Sequence, residues 1–242
     1  MLPALGDIKP VVRSSVSDAV YQTLRNKLMH GEYPAGQLLG IQDLANALET
    51  STMPVREALR QLVAQQGLEP MRSGTVRVPL ITRERLDDIR RSRVLVEGTV
   101  TEWAGPRLTV RQLDDLEQLA AEITVARRSR EGLIDSLEKN RIFHYTIYQA
   151  AQSPVMLAMI DSLWLQSGAY LRATREFLHT DTIAADRLHE SAVMALRAGD
   201  YAQARKFIET DVSWVFDRLS AVPDAMSRSG RQRRPRIRSR RE

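Results

Sequence analysis

The chain has 242 residues, is 43% apolar and lacks cysteine, so it can bury a substantial core but cannot form disulfides or cysteine-ligated zinc. No apolar run approaches the roughly 20 residues that cross a bilayer, and Met1–Pro10 has no basic segment followed by an apolar one, so a cytoplasmic protein without a membrane partner is expected. The net charge of +5 is concentrated in residues 227–242, where eight Arg and one Glu give +7 and leave −2 for the remainder. Bulk charge therefore says little about the rest of the chain.

In chain order, residues 15–30 place Val16, Val20, Leu24 and Leu28 at near-helical spacing, with Ser14 or Ser15 as a cap and Gly31 as a stop. After the turn signals of GEYPAGQ, the segment IQDLANALE sets Leu44, Ala45 and Leu48 on one side. Thr50, Ser51 or Thr52 can cap a further helix through VREALRQLVAQQG. Two short helices joined by about three residues form a helix-turn-helix. LEPMRSGTVRVPL then predicts two extended segments around a glycine-containing turn, a wing. From Thr82 onward the pattern is helical over 82–104, 109–127, 131–151, 153–177, 181–198 and 200–220, with breakers at Gly105-Pro106, Gly132, Ser153-Pro154 and Gly199-Asp200.

The expected architecture is mainly α: a winged helix-turn-helix with a small β-hairpin over residues 1–80, an all-helical bundle over 81–222, and a disordered basic tail over 223–242. The tail is either a solvated segment or an auxiliary phosphate-binding arm. In the first 80 residues eight basic side chains face seven acidic ones, so DNA binding has to be argued from placement.

The run YQTLRNKLMHGEYPAGQLL, followed by LANALETSTMPVREALRQLVAQQGLEPMRSGTVRV, resembles the GntR family of regulators, most specifically in PVREALRQL followed by QGL and a glycine-bearing wing. The resemblance implies operator DNA as partner, with the second helix of the pair in the major groove. Gln42, Ser51, Thr52, Arg56 and Arg60 are then the candidate DNA contacts on the helices, and Ser73 and Gly74 those at the wing. Arg56 suits a guanine edge or a phosphate, and Ser51 and Thr52 suit a cap or the DNA backbone. Where relatives commonly carry Ser-Arg-Thr, this chain has Ser51, Thr52 and Met53, and Gln42 stands where an Arg is frequent. Two common cationic contacts are thus absent, which predicts a shallower salt dependence.

The second part resembles the FCD ligand-binding domain of the FadR-like branch, through RRSRVLVEGTV, NRIFHYTIYQAAQSPVMLAMI and LHESAVMALRAGDYAQARKFIETDV. Asn140 and His144 stand four apart on one helix face. The resemblance adds His189 and Asp211 as a metal-ligand set, with Asn140 in place of the usual Asp and Asp211 in place of a His. It implies a divalent metal such as zinc, nickel or manganese, and an organic-acid effector bound by Arg93. Arg93 alternatively makes only a helical pair with Glu97. Trp103, Trp164 and Trp214 read as packing residues, and Tyr170 and Arg172 as undecided between pocket and surface.

The expected function is a homodimeric transcriptional regulator, a repressor, whose operator affinity a carboxylate metabolite modulates. The alternative is a ligand-independent DNA binder with a degenerate pocket. A hydrolase using His144, His189 and Asp211, with Glu138 or Glu190 as base, is weaker, because no HExxH-type motif is present.

Overall fold

The structure, a computed structural model, describes residues 16–72, 74–128, 132–174 and 183–220. Ser14, Ser15, Ser73, the tail from 223 and the side chain of Arg172 lie outside the described residues.

Helix α1 (Val16–Met29) buries Val20, Leu24 and Leu28 on one stripe. It ends where Gly31 takes φ +64 and Glu32 N–H returns to the Lys27 carbonyl at 2.9 Å. Strand β1 (Leu38–Leu39), α2 (Ile41–Ala47) and α3 (Thr52–Ala64) follow. Val55, Ala58, Leu59 and Leu62 of α3 are buried at spacings of three and four, which fixes the face that α3 turns away from solvent.

Strands β2 (Glu69–Pro70) and β3 (Val76–Arg77) make the expected hairpin, and the structure adds an unforeseen third strand. β1 pairs antiparallel with β3, giving the order β1-β3-β2, with Leu39 opposite Val76 and Glu69 opposite Arg77. The Glu69–Arg77 pair is closed by a 2.7 Å ion pair across the strands.

Six helices follow: α4 (Arg83–Ala104), α5 (Val110–Arg127), α6 (Leu133–Ala150), α7 (Pro154–Thr174), α8 (Ile183–Arg197) and α9 (Tyr201–Ser220). They match the periodic segments read from sequence to within three residues at each end. Their starts and stops have local causes. Thr82 Oγ1 caps α4 by accepting from Arg85 N–H, and Thr109 with Gln112 forms a capping box at α5. Gly199, at φ +75, ends α8. Gly98 of α4 leaves room for the Glu209 side chain of α9, so these two helices pack closely.

The winged helix docks on α7. A Cβ on Gly168 would fall 1.7 Å from the Leu28 carbonyl oxygen, so glycine permits α1 to touch α7. Around it, Arg25 pairs with Asp161 at 2.8 Å, Ser162 Oγ donates to the Gln65 carbonyl at 3.2 Å, and Arg85 Nη2 donates to the Gln66 carbonyl at 3.0 Å. A further link runs from α1's end to α6, where His30 lies 3.0 Å from Glu138.

Candidate functional site

The outward stripe of α3 carries Met53, Arg56, Glu57 and Arg60, all exposed and at helical spacing. Ser51 occupies the N-cap position but its hydroxyl makes no capping bond, and the first turn holds no acidic residue. Thr52 is half-buried beside it. The helix start thus presents free N–H groups and hydroxyls, the arrangement that receives phosphate. Gln42, exposed on α2, donates to Asn46 Oδ1 at 3.0 Å. At the wing, Gly74 is exposed at φ +76 with open space about its Cα.

The second site lies inside the helical bundle. Its walls among the described residues are Arg93 of α4, Arg127 of α5, Leu137, Asn140 and His144 of α6, Trp164 of α7, and Asp211 and Trp214 of α9, with Val212 and Val215. The cavity is small, about 40 Å³.

His144, His189 and Asp211 converge there from three helices, with one ligand atom of each within 4.8 Å of the others. His144 Nε2 is 3.1 Å and His189 Nε2 3.6 Å from Asp211 Oδ2. All three side chains are buried, and the Phe143 ring meets both imidazoles edge-on at 5.5 and 4.7 Å. Burial pushes His189 down from its ordinary value, so its imidazole stays neutral. Burial pushes the Asp211 carboxyl up, but the two adjacent imidazoles outweigh this and hold it well below the usual carboxylate range.

Proton inventory fixes how His144 is presented. Tyr148 donates its only proton to Glu97 Oε2 at 2.6 Å, so toward His144 Nδ1, 3.0 Å away, its oxygen accepts. Nδ1 therefore carries hydrogen, and Nε2 faces Asp211. A bare lone pair 3.1 Å from a carboxylate is repulsive, so a proton or a cation has to lie between them. His189 is fully buried, and neither ring nitrogen has a hydrogen-bond partner among the described residues. An orphaned neutral imidazole beside an ionised carboxylate and a second oriented imidazole fits a divalent metal in donor type and charge.

Asn140 lines the same cavity, its amide oxygen accepting from Arg127 Nη2 at 3.2 Å. That oxygen retains a second lone pair. Arg93 lines the cavity and is also locked to Glu97, with Nε–Oε1 at 2.6 Å. Its guanidinium lies 4.7 Å from the Trp164 ring centre and 5.6 Å from that of Phe216.

Sequence reasoning missed Arg127, a buried cation on the cavity wall; Trp164, read as packing, is part of the core, and it and Trp214 also border the cavity. Trp164 also buries an indole N–H with no partner among the described residues. Trp103 is 46% exposed, not core. Tyr170 packs on Phe216, its ring centre 6.2 Å away, and is not a wall of this cavity. The fold places Glu138 against Arg141 and His30 instead of the metal-ligand cluster, and Glu190 is exposed. No described helix is long and apolar enough to cross a membrane.

Comparison with known proteins identifies the two parts of the chain. Residues 16–78 match the bacterial regulatory proteins of the gntR family, and residues 88–212, half of the chain, match the FCD domain. The chain is 29% identical over 178 residues to the HTH-type transcriptional regulator McbR of Escherichia coli (strain K12), covering 74% of this chain and 79% of that protein. It is 27% identical over 185 residues to the HTH-type transcriptional regulator BphR of Paraburkholderia xenovorans (strain LB400), covering 71% and 73%. A gluconate operon transcriptional repressor of Bacillus licheniformis is 25% identical over 151 residues, 62% of this chain and 61% of that one. The solved structure of E. coli McbR/YncC superposes with a TM-score of 0.76 at 25% identity, over 85% of this chain and 99% of the other. The chain belongs to the gntR family of bacterial regulatory proteins and carries an FCD domain: it is a DNA-binding transcriptional regulator.

Proposed function

We propose that this regulator acts as a homodimeric repressor whose affinity for operator DNA is set by an organic acid bound in the FCD cavity, beside a divalent metal. The observation that carries the metal is His189, buried and neutral, with no hydrogen-bond partner for either ring nitrogen among the described residues and Asp211 Oδ2 3.6 Å away, next to the oriented His144. His144 Nε2, His189 Nε2 and an Asp211 oxygen would hold the ion, with Asn140 Oδ1 as a fourth donor. This nitrogen and oxygen set suits zinc, nickel or manganese. When bound, such an ion offers open positions to a carboxylate.

The chain's own residues supply the rest. Arg127 and Arg93 put two guanidiniums on the cavity wall, and the buried Trp164 indole N–H has no acceptor among the described residues. These are donors matched to an anionic effector rather than a cationic one. Likeness to a gluconate operon repressor supports repression. Leu95 and Trp103, exposed by 62% and 46% on α4, support pairing of two copies through the helical domain, which would set two recognition helices on a two-fold operator.

Metal analysis of the purified protein tests the reading, with His144→Ala and His189→Ala alongside. The expected result is about one equivalent per chain, lost in both variants. Protein that neither contains nor takes up zinc, nickel or manganese would sink the metal assignment and leave DNA binding standing.

A further inference from the structure

We propose that Met53 is a base-reading residue, and that it recognises the methyl group of a thymine in the major groove. The proposal rests on α3 being the DNA-reading helix. Met53 is 65% exposed in the first turn of α3, and the core of the winged helix is complete without it: Val55, Ala58, Leu59 and Leu62 fill the buried side. It shares the outward stripe with Arg56 and Arg60, three and seven residues on. A large apolar side chain in that setting would meet water in the free protein and DNA in the complex, because the flanking cations match a polyanion.

The chemistry of the side chain selects what it can read. A thioether donates no hydrogen bond and accepts only weakly. It cannot distinguish guanine, adenine or cytosine by their major-groove donors and acceptors, whereas the C5-methyl of thymine is the apolar feature that this groove displays. The flexibility of methionine lets it follow that methyl despite small shifts of the helix. Its neighbours leave it room. Ser51 and Thr52 sit at the helix start where the DNA backbone passes, and no acidic side chain stands in the first turn to repel it. Glu57, on the same stripe one turn on, is the acceptor suited to a cytosine amino group, so the face as a whole reads a mixed sequence.

The test starts from duplexes selected by the full-length protein from a randomised library. In the best duplex each thymine is then replaced by deoxyuridine, which deletes only the methyl. For the wild type, one thymine in each half-site should prove sensitive, with binding weakened about four-fold per replacement, as expected for about 0.8 kcal/mol from one buried methyl. In Met53→Ala that sensitivity should vanish while binding to the deoxyuridine duplex is retained, and in Met53→Leu it should persist. Wild-type binding indifferent to every thymine methyl, or sensitivity unchanged in Met53→Ala, would overturn the role of Met53 and leave DNA binding intact. If the wild type enriches no duplex at all, the reading of α3 fails, and Met53 falls with it.

Discussion

Replacing Gly168 with alanine strikes the joint between the DNA-reading head and the sensor. The added Cβ would sit 1.7 Å from the Leu28 carbonyl oxygen and 2.7 Å from its carbon. A carbon and a carbonyl oxygen settle no closer than about 3.3 Å, so α1 has to retreat from α7 by well over an ångström. The obstacle is backbone, and no rotamer change relieves it. Overpacking of this kind costs about 1–3 kcal/mol, and a rigid partner places Gly168→Ala at the upper end. At about 2–4 °C per kcal/mol for a chain of this size, the first thermal transition should fall by roughly 6–12 °C. Gly67→Ala supplies the internal comparison. Its Cβ would lie 2.6 Å from Leu165 Cγ, a side chain rather than backbone, so its effect should be smaller. Scanning calorimetry on the two variants decides the matter. A Gly168→Ala transition within error of wild type, or a Gly67→Ala effect exceeding it, would refute the docking geometry.

Three further predictions address the two sites. Tyr148→Phe removes the oxygen that holds His144 Nδ1 at 3.0 Å and should weaken zinc binding about 10–100-fold in a chelator competition, while costing about 1–3 kcal/mol of stability because buried Glu97 loses its donor; equal affinity would show that this hydroxyl does not orient the ligand. Arg127→Leu should abolish the thermal stabilisation given by short di- and tricarboxylates while sparing zinc uptake, and a variant still stabilised like wild type would remove Arg127 from effector recognition. Arg60→Ala, on the outward face of α3, should weaken binding to all duplexes alike and lower the slope of log affinity against log salt by about one; an unchanged slope would place Arg60 off the phosphates.

Much of the fold was legible because burial imposes a period. Val20, Leu24 and Leu28 in α1, or Val55, Ala58, Leu59 and Leu62 in α3, recur as a helix with one buried face must. Strand β1 was not legible, since Leu38 and Leu39 are too few to show alternation and their partners Arg77 and Val76 lie far along the chain. At the ligand site, Asn140 and His144 announced themselves through a spacing of four, but His189 and Asp211 sit on other helices, and only a resemblance joined them. Arg127 gave no signal. An arginine in the last turn of an amphipathic helix reads as a solvated cation near the negative end of the helix dipole, and only the packing of α6 beside it makes it a wall. Trp164 is buried in the core, as its place on an apolar stripe implies, but the stripe does not say that this part of the core also borders a cavity.

The DNA-reading head and the cavity meet in one stripe of α7. Asp161, Trp164, Leu165 and Gly168 recur at spacings of three and four, so they lie along a single helix face. Within it, Asp161 holds Arg25, Leu165 packs at Gly67 and Gly168 receives the Leu28 carbonyl, while Trp164 borders the cavity between Arg93 and His144. Tyr145 ties the same face to α6, donating to Asp161 at 2.6 Å and meeting the Trp164 ring at 5.4 Å. On the proposed reading the cavity, at about 40 Å³, is well below the few hundred cubic ångströms of an ordinary ligand pocket, so its walls have to yield to admit an organic acid. Displacing Trp164 then disturbs the face on which the head is docked, with no intervening lever, and a close-packed joint responds by changing arrangement rather than by gradual deformation. An effector bound more tightly in one head arrangement than the other shifts the population by that difference in affinity, so the strength of regulation is set by how strongly the Trp164 face couples the cavity to the docked head.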